Sequence, residues 1–124
     1  MVLLWVMVAG GLGSGARYLI GLWAAAAFGA AFPIGTLIVN LAGSFLLSFI
    51  APFALSGALS AEARTAIGTG LIGGFTTYSS FNQETIVLFT GGAIGAAALN
   101  IAVTLIGCLA AGSIGLLAAR ALQS

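Results

Sequence analysis

Charge is what this 124-residue chain has least of: five charged side chains in all, Arg17, Glu62, Arg64, Glu84 and Arg120. A soluble domain of this length needs far more polar surface than that to cover its core. With no basic cluster and a formal net charge of +1, there is no footprint for a phosphate backbone, and nucleic acid is excluded as a partner. Histidine is absent and Cys108 is the single cysteine. An internal disulfide is therefore impossible, and transition-metal chemistry is left almost without ligands. Prolines number only two, and no glycine-rich nucleotide loop precedes a helix.

What fills the chain instead is apolar: 61% hydrophobic residues and a mean hydropathy of +1.25. This is the composition of an integral membrane protein. Hydropathy divides the chain into four stretches, 2–28, 33–55, 64–90 and 92–121. Each reaches the ~20 residues that a helix needs to cross ~30 Å of hydrocarbon. The first has no basic region ahead of its apolar run, so it is expected to be a retained span and not a signal peptide. Short separators join the spans: Gly29 to Phe32 with Pro33 opening the next helix, Ser56 to Glu62, and Gly91-Gly92. The chain reads as one all-α membrane domain, 1–124, with both termini on one side. Arg64 and Arg120 lie on that side and the other two loops carry no Lys or Arg, a bias of two against none that leaves orientation nearly undetermined.

Helix faces are rich in small residues, among them Gly11 and Gly15 with Ser14, and Gly95, Gly107, Gly112 and Gly115. Such faces let backbones approach closely, within the chain or between chains. Polar residues recur at helical spacing on the second span, where Thr36, Asn40, Ser44 and Ser48 form one stripe. An amide at mid-membrane is costly unless its hydrogen bonds are met, so Asn40 marks interhelical bonding or a wet path. Asn100, Thr104 and Cys108 repeat the device on the fourth span, where bonding to the helix's own backbone is the plainer reading.

The third stretch carries an interruption, Gly73-Gly74-Phe75-Thr76-Thr77-Tyr78-Ser79-Ser80-Phe81. Lipid cannot satisfy backbone groups that a break frees, so irregular chain at this depth survives only where protein or a wet cavity surrounds it. The glycines permit strained backbone or close approach. Freed carbonyls suit a hard cation, and the N-terminal end of the resumed helix suits an anion. Tyr78 and Phe81, three residues apart, share a helix face, and their ring edges carry the positive end of the aromatic quadrupole. Arg17 and Glu84 fall inside spans, both toward the side opposite the termini, where a salt bridge between them is the plain expectation.

Three segments together resemble the CrcB/Fluc fluoride-channel family: Gly15-Ala16-Arg17-Tyr18; Gly35-Thr36-Leu37-Ile38-Val39-Asn40 with Gly43-Ser44-Phe45; and Gly70 to Phe81. The resemblance covers essentially the whole chain in length, span number and motif order. It implies four membrane helices with the third broken mid-membrane, in an antiparallel, dual-topology homodimer of the cell membrane. It further implies passive fluoride export through two pores and a structural Na⁺ at the dimer centre, with no enzymatic activity. By the same resemblance, Tyr78 and Phe81 project into the pores with Asn40 as polar partner. Ser44, Thr77, Ser80, Asn100 and Thr104 line the path, and the Gly73 and Thr76 carbonyls hold Na⁺. Arg17 and Glu84 stand at an interface or vestibule. Tyr78 departs from the family's usual phenylalanine, and Asn100 and Cys108 from its usual tyrosine and serine. A small multidrug-type proton-coupled exporter matches in size and span number, but depends on a first-span glutamate, which this chain lacks. A noncatalytic membrane assembly subunit, its polar stripes serving only packing, is the other competing class.

Overall fold

The computed structural model describes residues 1–124 and is helical throughout. Helix α1 runs Val2–Phe28 and α2 runs Ile34–Leu55. A short α3, Ala61–Thr65, passes without interruption into a π-helical stretch, Ala66–Ile72, and a last turn α4, Gly73–Phe75. After two extended residues, α5 resumes at Tyr78–Thr90, and α6 is Ile94–Gln123. Helices α1, α2 and α6 are long and apolar enough to cross a membrane by length and composition. The third stretch is a bent helix of two half-helices in series, 61–75 and 78–90. Three candidate spans and this bent helix thus occupy the four expected stretches, with ends displaced by at most three residues.

Hydrocarbon explains why so little else forms, since a helix satisfies every backbone group within its own segment. Connections are short and use glycine where the chain must turn: Gly29, Gly57 and Gly92 adopt φ of 78°, 83° and 85°. Only 13 of the 124 residues are buried, so Leu3, Met7, Leu12, Leu19, Ile106 and Leu109 point outward. That surface is stable only against lipid. Trp5 and Trp23, both half-exposed on α1, stand eighteen residues apart, about 27 Å at the rise of a helix. This is the spacing of two interfacial aromatic belts.

Small residues do set the packing, in a register the sequence pattern did not single out. Gly11 and Gly15 face open space, as does Gly95. The glycines of α1 that touch the third stretch are Gly10 and Gly13, three apart: a Cβ on Gly13 would collide with the Leu71 carbonyl. In return, a Cβ on Gly70 would stand 2.9 Å from the Val6 carbonyl oxygen, and one on Gly74 2.5 Å from that of Gly10. Helices α2 and α6 close in the same way, with Gly115 against the Phe45 carbonyl and Gly107 against Leu41. The Gly112 and Gly115 expectations thus resolve as contacts inside the chain.

Gly73 and Gly74 themselves stay helical, Gly73 at φ −62° and ψ −37°, so the glycines of the motif serve close approach and carry no backbone strain. The interruption is confined to Thr76 (φ −79°, ψ 157°) and Thr77 (φ −153°, ψ 116°). The stretch before it is underwound into π geometry, which is rare in general and frequent at functional sites.

Candidate functional site

Two extended threonines free backbone groups on both sides of the break, and neighbouring side chains take up some of them. Asn40 is the principal one. Its Nδ2 donates to the Thr77 carbonyl at 3.0 Å and its Oδ1 accepts from the Thr77 N–H at 2.8 Å. The amide pairs with Thr77 as a neighbouring strand would. Asn40 is 8% exposed, so its cost at this depth is offset by two bonds. Taking the Thr77 N–H has a consequence at Gly73, whose carbonyl is the acceptor that this N–H would find in a continuous α-helix.

On the near side of the break, the Gly74 carbonyl accepts from Arg17 Nε at 3.1 Å and from Ser14 Oγ at 3.3 Å. Thr76 turns its own hydroxyl back to the Ile72 carbonyl at 3.0 Å, where its N–H also bonds. Its methyl fills the place where a Cβ on Gly43 would lie, so α2 can reach the break only because residue 43 is glycine. On the far side, Thr77 caps α5: its Oγ1 accepts from the Ser80 N–H at 3.2 Å and donates to Ser80 Oγ at 3.1 Å.

The predicted polar residues gather in two hollows that meet at Thr77. The larger, about 750 Å³, is an open groove lined by Asn40, Ser44, Ser48, Thr76, Thr77, Tyr78, Phe81, Thr104 and Cys108 among its polar and aromatic members. Ser44 and Ser48 lie free there, whereas Thr85, Thr90 and Ser113 bond their own helix one turn back. Thr104 is 7% exposed and its hydroxyl has no partner. The smaller hollow, about 270 Å³, brings together Arg17, Tyr18, Thr36, Thr77 and Ser80. Within the groove the Tyr78 and Phe81 rings meet at 5.6 Å and 60°. Phe81 is buried and Tyr78 is 74% exposed, so one ring is part of the wall and the other projects from it.

Three expected positions lie elsewhere. Asn100, 1% exposed, lines neither hollow; its Nδ2 donates to Thr85 Oγ1 at 2.9 Å, and Thr85 in turn donates to the Phe81 carbonyl at 2.7 Å. The pair ties α6 to α5 behind the Phe81 ring. Glu84 makes no ion pair with Arg17. Its Oε1 accepts from Thr36 Oγ1 at 2.7 Å, and its Oε2 is buried without a partner. Gly73 borders neither hollow. Sequence reasoning passed over Thr85, although its place four residues after Phe81 puts it on the same helix face. It named Ser14 only as a small residue, although i, i+3 spacing sets it beside Arg17.

Chemically, the groove offers hydroxyl and amide donors and a ring edge with no fixed charge, beside a hollow holding one guanidinium. Such a lining suits a small anion in transit.

Comparison with known proteins accords with that reading. Residues 4–116 match the family model described as CrcB-like protein, Camphor Resistance (CrcB). A relative from Anaeromyxobacter dehalogenans, named Fluoride-specific ion channel FluC, is 53% identical over 110 residues, 88% of this chain and 87% of its own length. One of the same name from Sorangium cellulosum is 48% identical over 119 residues, 95% of this chain and 94% of its own. Another, from Thermus thermophilus, is 48% identical over 94 residues, 76% and 74%. Three candidate spans with a bent third stretch, a break held by Asn40 and Arg17, and these matches agree: the chain belongs to the CrcB-like family of multi-pass membrane ion channels.

Proposed function

We propose that this chain is the subunit of a passive, fluoride-selective channel, and that two copies in antiparallel orientation complete it. The observation that carries the reading is the groove at Thr77. Asn40, Ser44, Thr77 and Thr104 place neutral donors along it, beside the edge-on pair of Tyr78 and Phe81, in a chain whose relatives are named fluoride-specific ion channels. Fluoride is small and strongly hydrated, so it enters only where donors replace its water shell. It leaves quickly only where no lysine or arginine holds it. The groove is open along one side, which a second copy of the chain would close.

Na⁺ fits the break by ligand chemistry. A hard monovalent cation takes oxygen ligands, and no group of three or more His, Cys, Asp or Glu side chains stands anywhere in the chain to hold a metal. The Gly73 carbonyl has lost its helical N–H partner to Asn40, and no side chain donates to it or to that of Thr76. Two such carbonyls from each copy would give four oxygens around one ion on the symmetry axis. Bound there, the ion would supply charge that holds the two breaks together.

Export follows the electrochemical gradient. Weakly acidic HF crosses lipid, ionises inside the cell, and the anion departs through the plasma-membrane pore. The decisive experiment is efflux from liposomes loaded with both fluoride and chloride. The proposal expects fluoride to leave and chloride to stay, and it is overturned if fluoride is retained or both ions leave together. Replacing internal and external Na⁺ by N-methylglucamine, and following the dimer's thermal unfolding, tests the cation: unchanged unfolding overturns it.

A further inference from the structure

Arg17 is one of two charged side chains inside the spans, and its bond is to a backbone carbonyl and not to Glu84. The chain reaches that carbonyl through a run of glycines. Gly10 and Gly13 on α1, with Gly70 and Gly74 opposite, bring the two backbones so close that no Cβ fits at Gly13, Gly70 or Gly74. Only at that separation do Ser14 and Arg17, one turn on, meet Gly74 at 3.3 and 3.1 Å.

The position of Gly74 explains the need. It is the second-last residue of the half-helix 61–75, whose final carbonyls have no following turn to bond. They form the negative end of the half-helix dipole, at membrane depth. Thr77 has turned away to Asn40, and the amide that would reach Gly74 in a continuous helix belongs to Tyr78, beyond the break. An anion passing the Thr77 wall would meet this negative end unshielded. The guanidinium lies against it, and also lines the smaller hollow beside Thr36, Thr77 and Ser80.

We propose that Arg17 and Ser14 are a positioning pair that replaces the missing helical bond at Gly74, with the Arg17 charge cancelling the carbonyl end of the half-helix beside the anion path. The pair also reserves Gly74, so that Gly73, Phe75 and Thr76 are the carbonyls left without a partner within the chain. The charge argument rests on the proposed function; the anchoring of Gly74 does not.

The full-length protein, with Ser14→Ala, Arg17→Gln, Arg17→Lys and the Ser14→Ala/Arg17→Gln double variant, separates the two. Thermal or denaturant unfolding reads the anchor. Each single loss leaves the other donor on the carbonyl and the double loss leaves none, so the double variant's unfolding constant exceeds the product of the single effects by at least about threefold. A purely multiplicative result overturns the shared anchor. Fluoride efflux per folded channel reads the charge: Arg17→Lys retains about tenfold more flux than Arg17→Gln, in the range of a partly buried charge at a helix terminus. Equal flux from these two variants overturns the charge role, since a packing defect alone would not be rescued by lysine. Absence of fluoride efflux from the unmodified protein overturns the proposed function and the charge role together, and the unfolding cycle still decides the anchor.

Discussion

Asn40→Ala removes both bonds to Thr77 while leaving α2 helical, and its cost follows from what is left behind. The Thr77 N–H and carbonyl lose their partners at a site where Asn40 is 92% buried, the complement of its 8% exposure. Each orphaned backbone group costs roughly 1–3 kcal/mol when water cannot reach it. Side-chain hydrogen bonds between membrane helices measure lower, averaging about 0.6 kcal/mol, because the separated helices find other partners. The groove beside Thr77 admits water, which favours the low end, so the two bonds together are worth about 2 kcal/mol, a thirtyfold shift toward an open or refolded break. Thermal unfolding of the purified protein, set beside fluoride efflux from liposomes, measures both consequences. A lowered midpoint together with slowed efflux is expected. Asn40→Asp, which keeps an acceptor for the Thr77 N–H but loses the donor for its carbonyl, should fall between. Should Asn40→Ala keep its midpoint while efflux alone collapses, the clamp reasoning is refuted and Asn40 acts only as a donor to the passing ion.

Gly43→Ala is expected to destabilise the break because its Cβ lands on the Thr76 methyl, and Thr76→Ser should rescue it by deleting that methyl while keeping the hydroxyl that bonds Ile72; unfolding midpoints of the two singles and the double check this. Gly13→Ala should lower the midpoint through its collision with the Leu71 carbonyl, whereas Gly11→Ala, facing open space, should be neutral or stabilising by about 0.5–1 kcal/mol. Tyr78→Phe removes a phenol on a ring that is 74% exposed and has no hydrogen bond within the chain, so stability is expected unchanged; a change in the fluoride efflux rate, read in the same vesicles, reports the phenol's contact with the permeating ion. Cys108 lines the groove and is half-buried, and a small methanethiosulfonate reagent should slow efflux by adding a side chain there, an effect that Cys108→Ala abolishes.

The four helical stretches were legible because hydropathy is decided by length and composition, and both are carried by consecutive residues. The stripe of Thr36, Asn40, Ser44 and Ser48 was legible for a similar reason, since a fixed spacing of four defines one helix face whatever that face meets. What the spacing could not say is which neighbour the face meets. Asn40 was marked as costly, but its bidentate grip on Thr77 depends on Gly43 admitting Thr76, a contact between residues far apart in sequence. The Gly11 and Gly15 pair satisfied the small-residue pattern and packs against nothing within the chain, while Gly10 and Gly13, one and two residues out of that pattern, pack against the third stretch. Helix rotation is set by the partner's surface and has no signature in the helix that rotates. Asn100 and Glu84 show the same limit. Asn100 has polar spacing that fits a path and Glu84 was expected to pair with Arg17, yet each makes its hydrogen bond to a threonine of a neighbouring helix, Thr85 and Thr36.

Of the two roles open to the glycines, strained backbone or close approach, Gly74 takes close approach and the break falls on the threonines, which changes what its chemistry depends on. A strained glycine turn would free carbonyls and amides without distinction. Here three groups are matched by kind: the Thr77 pair to the Asn40 amide, the Gly74 carbonyl to Arg17 and Ser14, the Ser80 N–H to the Thr77 hydroxyl. On the α5 side the Ser80 amide is taken by the Thr77 hydroxyl while those of Tyr78 and Ser79 have no partner within the chain, and carbonyls on the α4 side are shared between a guanidinium and open space. A continuous helix cannot present this division, because each carbonyl there is matched to the amide one turn on. Two adjacent extended residues are enough to create it, provided that neighbouring helices carry the side chains that stand in for the lost turn. Selectivity in this protein should therefore respond to substitutions on α1 and α2 as strongly as to those in the broken span.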